Sequence, residues 1–302
     1  MKVDKLLTEQ RNPNTMNLDS LSTLEMVKVI NLEDQKVPKA VAAETKVIAK
    51  VIDQASMRFN QGGRLIYCGA GTSGRLGILD AVELVPTFGL DPQRAVGLIA
   101  GGPKAVYQAV EGAEDSSELA KKDLEKINID RSDTVISIAA SGRTPYAIGA
   151  LKAAQNIGAL AVALTCVKNS EMAKYADFTI APLVGPEVVT GSTRMKAGTA
   201  QKMVLNMIST GVMIKAGKVY QNLMVNVLPT NEKLVERATH IITLTTGCEL
   251  KTARQQLKRA ENNVPAAIVM QKTGLNLVQA QQLLAENNNC VSGVLKKWSQ
   301  TK

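Results

Sequence analysis

The stretch RLIYCGAGTSGRLGILDAVE, residues 64–83, restricts the fold more than any other. An apolar run from Leu65 to Cys68 enters a loop with Gly69, Gly71 and Gly74, and helical spacing follows at Leu76, Leu79 and Val82. Strand, tight loop and helix in this order form an anion cradle, because glycines let backbone N–H groups close on a ligand and the helix start adds partial positive charge. Thr72 and Ser73 add hydroxyl donors, and Arg75 adds a candidate full charge. Two other readings stand beside this one. The three glycines also satisfy the dinucleotide fingerprint G-x-G-x-x-G, which further asks for an acidic residue at the end of the next strand. That strand candidate, Ala95 to Ala100, runs into Gly101 and Gly102 instead. The third reading is a turn that needs glycine only for packing. The neighbouring hydroxyls favour a phosphomonoester over a dinucleotide.

Around this stretch, strand-like runs at 65–68, 95–100, 134–139, 159–165 and 177–181 alternate with helical patterns at 73–84, 103–128, 144–157 and 170–175. Such alternation predicts an α/β protein with a doubly wound, five-stranded parallel sheet whose ligand loops lie at the strand C-terminal ends. Helical patterns at Leu21–Ile30 and Val37–Phe59 precede it, and short helices split by Gly247, Pro265 and Gly274 follow it. The expected division is a helical lead-in over 1–63, an α/β domain carrying the anion-binding loops over 64–230 and a small helical unit over 231–302.

Two further strand ends repeat the loop chemistry. Ser141, Gly142, Arg143 and Thr144 follow the third strand, with Pro145 in the first helical turn. Thr144 is a natural N-cap, and capping alone accounts for it as readily as ligand binding does. Thr190, Ser192 and Thr193 precede a later helix, with Arg194 and Lys196 at its start. Basic residues there oppose the helix dipole, which makes an anion more favourable.

Net charge is +9, but aromatic residues are only 3% of the 302, so stacking platforms for nucleic acid are absent and a small anionic substrate is the simpler expectation. Part of the excess is a C-terminal basic face, eight Lys or Arg against three Glu from Thr246 onward. No leader-like or membrane-length apolar run is present, which leads to a cytoplasmic expectation without membrane association. Cys68, Cys166, Cys248 and Cys290 are far apart, which disfavours a metal site or disulfide framework and suggests buried thiols.

His240 is the sole histidine and lies in a helical pattern, so proton transfer falls to carboxylates or lysines. Glu83, between Val82 and Leu84, and Glu114, in AVEGAEDSS, are the leading candidates, with Glu111, Asp115 and Glu187 as rivals. A cap or salt bridge is the structural alternative for each.

The segments TEQRNPNTMNLDSLSTLEMVKVINLEDQKV, GAGTSGRLGILDAVELVPTFG, GLIAGG, AVEGAEDS, IAASGRTPYAIGAL, GPEVVTGSTRMKAGTAQKMVLNMIST and GKVYQNLMVNV together resemble the sugar isomerase (SIS) domain proteins. Within them the chain is most similar to the N-acetylmuramic acid 6-phosphate etherases. The resemblance covers most of the chain, is less specific in the C-terminal unit, and departs at Gln221, where glycine is expected. It implies a flavodoxin-like SIS fold and a homodimer without cofactor or metal. The implied reaction turns N-acetylmuramate 6-phosphate and water into N-acetylglucosamine 6-phosphate and D-lactate, in cell-wall sugar recycling. It implies Glu83 as acid/base residue and Glu114 as a second active-site residue. The phosphate is expected on Ser141 and Thr144, with Thr72, Ser73, Gly142, Arg143, Ser192 and Thr193 contributing. A regulator resembling glucokinase regulatory protein and an aldose-ketose isomerase are the alternatives.

Overall fold

The computed structural model describes residues 7–227, 229 and 231–300. The chain forms two compact units, Met1–Val82 with Gln93–Ser209, and Glu83–Pro92 with Thr210–Lys302.

Three helices open the first unit, α1 (Thr23–Asp34), α2 (Lys36–Ala42) and α3 (Thr45–Asn60). Ser22 and Glu25 close a reciprocal capping box at the start of α1. The single helix expected over 37–59 is broken at Ala43 and Glu44, and the Glu44 carboxylate accepts from the Ala181 N–H at 3.1 Å. Ile48, Val51, Ala55 and Phe59 of α3 are buried, so the lead-in shares the core of this unit, in contrast to the separate 1–63 segment expected.

The alternating core follows: β1 (Leu65–Gly69), α4 (Gly71–Phe88), β2 (Ala95–Ile99), α5 (Lys104–Tyr107), α6 (Ser117–Lys126), β3 (Thr134–Ile138), α7 (Pro145–Ile157), β4 (Leu160–Leu164), β5 (Phe178–Ile180) and α8 (Lys196–Lys215). The five strands are parallel in the order β2-β1-β3-β4-β5. All residues of β1, β3 and β4 are buried, as strands covered by helices on both faces must be. The helix expected over 103–128 is divided, because Gly112 turns left-handed at φ 72° and Ser116 caps a new start at α6. Segment 170–175 is only a 3-10 turn over Met172–Tyr175.

In the second unit, β6 (Val219–Tyr220) and β7 (Leu223–Met224) form an antiparallel hairpin. Its turn holds Gln221 at φ 55°, the region glycine favours, which accounts for the glycine expected at this position; nothing in the structure explains the glutamine. Five helices follow, α9 (Glu232–Thr246), α10 (Leu250–Arg259), α11 (Val264–Thr273), α12 (Leu277–Glu286) and α13 (Val291–Gln300). Gly247 and Gly274 end α9 and α11, whereas Pro265 lies in the first turn of α11 and opens that helix instead of dividing two. Ile242, Leu257, Ile268, Val269, Leu284 and Val294 are among the residues of their common core. This unit starts earlier than the expected residue 231 and takes in 83–92. All four cysteines are free; Cys68 and Cys166 are buried, Cys248 and Cys290 only half-buried. Among the described residues, no helix is long and apolar enough to cross a membrane.

Candidate active site

Strand order 2-1-3-4-5 reverses between β1 and β3, and the loops leaving these strands diverge there. A cleft of about 480 Å³ lies at that point, lined by Ala70–Ser73 after β1 and by Ala139–Ser141 and Arg143–Pro145 after β3. Thr193, Glu9, Glu114 and Asp115 complete the rim.

The glycine loop owes its shape partly to packing. A Cβ on Gly74 would fall 2.7 Å from the Gly69 carbonyl and 2.6 Å from Ile99 Cγ1, so only glycine lets α4 start this close to the sheet. Arg75 serves the same local architecture: its Nε and Nη2 donate to the carbonyls of Val106 and Ala105, each at 2.8 Å, which ties it to α5 and away from anion binding. Gly142, at φ 65°, lies where a Cβ would meet Ser170 Cβ at 2.3 Å. It shapes the turn beneath Ser141 and does not itself line the cleft.

Thr144 occupies the N-cap position of α7, yet its side chain bonds no backbone N–H. The capping alternative therefore fails, and the hydroxyl faces the cleft free of that duty. Ser73 also lines the cleft, but its hydroxyl donates to Gln201 Oε1 at 2.9 Å. Thr72 Cγ2 would lie 3.5 Å from a Cβ on Gly198, so the starts of α4 and α8 approach at a small residue.

The third hydroxyl-rich helix start is built differently. Glu187, 1% exposed, accepts from the backbone N–H of Lys196 at 3.0 Å and of Ala197 at 2.9 Å, filling the start of α8 with the protein's own carboxylate. Desolvation raises its pKa, against the lowering effect of those amides and the Lys196 charge. Lys196 is fully buried against Glu33 at 2.7 Å. Of this loop only Thr193 reaches the cleft; Ser192 is not among its lining residues. Glu187 is thus a cap, which removes it as a rival acid.

Of the carboxylates named from the sequence, Glu114 and its rival Asp115 line the cleft from the 3-10 turn Ala113–Asp115. Glu111 does not line it. Glu83 is exposed on α4 and does not line it either; of its apolar sequence neighbours Leu84 is buried and Val82 is 60% exposed, and Glu83 itself stays at the surface of the chain. Glu9, from the 3-10 turn Leu7–Glu9, is a pocket carboxylate that residue-type reasoning missed. Its segment is pinned by Asn12 Nδ2 to Pro186 O at 3.2 Å and Thr15 Oγ1 to Val188 O at 2.9 Å, contacts across more than 170 residues that no local pattern announces. Hydroxyls thus come from the strand ends, carboxylates from the two 3-10 turns, and among the described residues Arg143 is the sole cation of the lining. Among the described residues, no three His, Cys, Asp or Glu side chains are grouped to hold a metal ion.

Sheet order and a hydroxyl-lined cleft at the switch point fit a SIS-domain protein. In agreement, the SIS domain family profile matches residues 109–211, and that of the glucokinase regulatory protein N-terminal SIS domain matches 46–155. N-acetylmuramic acid 6-phosphate etherase from Lactobacillus gasseri is 59% identical over 98% of this chain and 100% of its own length. The protein of the same name from Lactobacillus acidophilus is 58% identical over 98% and 99%. The chain belongs to the N-acetylmuramic acid 6-phosphate etherase family. A solved structure of a phosphoheptose isomerase from Francisella tularensis is 16% identical, with a TM-score of 0.48 over 64% of this chain and 98% of that one.

Proposed function

We propose that this chain cleaves the D-lactyl ether of N-acetylmuramate 6-phosphate to give N-acetylglucosamine 6-phosphate and D-lactate, in cell-wall sugar recycling. The observation that carries this reading is 58–59% identity to etherases along nearly the whole chain. The cleft supplies compatible chemistry. Free hydroxyls of Ser141 and Thr144, with Thr72 and Thr193, hold the 6-phosphate beside Arg143.

In the opened sugar the C2 hydrogen is alpha to the C1 aldehyde and the lactyl oxygen on C3 is a beta leaving group. A carboxylate removes the C2 proton, the C3–O bond breaks, and the departing lactate oxygen takes a proton. Water then adds across the C2=C3 bond, its hydroxyl to C3 and a proton to C2. Glu83 is the acid/base residue of this proposal and Glu114 the second carboxylate, their roles reversing between elimination and hydration.

Glu83 acts from the partner subunit of a homodimer. Ten residues of α4 separate it from Ser73, about 15 Å of helical rise, further than a hexose phosphate reaches from its phosphate loop. It shares a helix face with Leu79 and Val82, which are 45% and 60% exposed, an apolar surface suited to a twofold contact. Free cysteines favour a reducing compartment, in keeping with the cytoplasm.

Incubation with N-acetylmuramate 6-phosphate tests the reading by lactate release, and turnover in deuterium oxide should label C2. Glu83→Gln should bind substrate and release no lactate, and Glu114→Gln should lose most activity. The match over 46–155 favours one second reading, a sugar-phosphate-binding regulator without turnover. Binding with no lactate from the wild-type protein would select it.

A further inference from the structure

The Ser73 hydroxyl sits between the cleft and the interior, 8% exposed, and its single proton goes to Gln201 Oε1 at 2.9 Å. In that arrangement the hydroxyl offers a cleft ligand only lone pairs, which a phosphate oxygen cannot use. Gln201 is 1% exposed, and its Nε2 is buried with no hydrogen-bond partner among the described residues. A buried amide N–H group left unpaired is costly, and it lies on the same side chain that holds the Ser73 proton. Turning the amide by 180° places Nε2 against Ser73 Oγ. The hydroxyl then accepts from Gln201, and its proton is released toward the cleft. One hydrogen bond joins the pair either way, and one amide atom goes unpaired either way, so the two arrangements are nearly balanced in the protein itself. An acceptor oxygen in the cleft adds a bond to the second alone and decides between them.

We propose that Gln201 is a positioning residue that reverses its amide to deliver the Ser73 proton to a phosphate oxygen of the bound sugar. The idea rests on reading the cleft as the sugar-phosphate site. The backbone around the pair is held by a second tie between α4 and α8, Ser209 Oγ to Asp80 Oδ1 at 3.1 Å, so reversal needs only the amide to turn.

Calorimetric titration of the wild-type protein and its variants with N-acetylglucosamine 6-phosphate tests this, with thermal melting measured in parallel. Ser73→Ala should weaken binding about three- to tenfold, the loss expected for one hydrogen bond. Gln201→Glu, whose carboxylate accepts and never donates, should hold the Ser73 proton away and weaken binding as much, with no further loss when the two changes are combined. Gln201→Met, close in volume and unable to bond Ser73, leaves the hydroxyl free to turn its proton to the ligand and should keep binding within about twofold of the wild type. Wild-type affinity in the folded Gln201→Glu protein overturns the proposal, whatever its melting temperature, and so do an equal loss in folded Gln201→Met and losses that add in the double variant. Failure of the wild-type protein to bind the sugar phosphate overturns the reading of the cleft itself, and the proposal with it.

Discussion

Lys196 Nζ stands 2.7 Å from Glu33 Oε2 with both side chains sealed from solvent. The pair joins α1 to the first residue of α8, across 163 positions of sequence. Asn14 and Lys36 donate to the other oxygen of the same carboxylate, at 2.9 and 2.5 Å. The lead-in that carries Glu9 and the loop that carries Thr193 are thereby one cross-linked piece of the cleft wall. Lys196→Met should cost about 3–5 kcal/mol, because it leaves a buried carboxylate short of its main counter-charge. Adding Glu33→Gln should return part of that loss. Denaturant titration of the single and double variants measures both.

Stability in acid follows from the same carboxylate. Desolvation works against its ionisation, yet hydrogen bonds from Lys196, Lys36, Asn14 and Asn12 prevail and bring the Glu33 pKa to about 2, from an ordinary 4.5. A depressed carboxylate stabilises the fold fully above its unfolded pKa, and that contribution is lost as pH falls through the folded value. Unfolding free energy should therefore drop between about pH 4.5 and pH 2, and the Glu33→Gln protein should show a shallower drop. Equal slopes for the two proteins across that window would count against this assignment.

Ser141 and Thr144 offer the cleft hydroxyls with no cap to serve. Ser141→Ala should raise KM for the sugar 6-phosphate about threefold to tenfold while leaving kcat within a factor of a few, the pattern of a lost binding contact. Unchanged KM in a folded variant would remove Ser141 from the phosphate site.

Subunit sharing is checked by complementation. Glu83→Gln, and the double change Ser141→Ala with Thr144→Ala assayed at substrate far below its raised KM, should regain lactate release when subunits exchange, since one site of the mixed dimer then holds Glu83 and both hydroxyls. No recovery despite demonstrated exchange would return Glu83 to its own subunit's cleft.

Gln221 holds the left-handed turn of the β6–β7 hairpin at φ 55°. Gln221→Gly should stabilise the protein by about 0.5–1 kcal/mol in equilibrium unfolding, since relief of the side-chain clash outweighs the added freedom of the unfolded chain.

The sequence by itself determined the elements whose cause is local. Five buried apolar runs, glycine-punctuated helix starts and proline positions were enough to predict the parallel sheet and the β1 and β3 loops, because strand period and turn chemistry act within a few residues. The hydroxyls of Thr72, Ser141, Thr144 and Thr193 were legible for that reason. What those hydroxyls are free to do was decided only by tertiary structure. Ser73 and Thr144 look alike in sequence, yet one proton is taken by Gln201, 128 residues away, and the other hydroxyl is spared capping. Glu187 stood as a rival to Glu114 until folding buried it at the start of α8 and turned Glu114 to the cleft. Glu9 entered the site through anchors at Asn12 and Thr15 that have no local signature. Hydrogen-bond partnership and burial are properties of pairs brought together by the whole chain, so no window of sequence contains them.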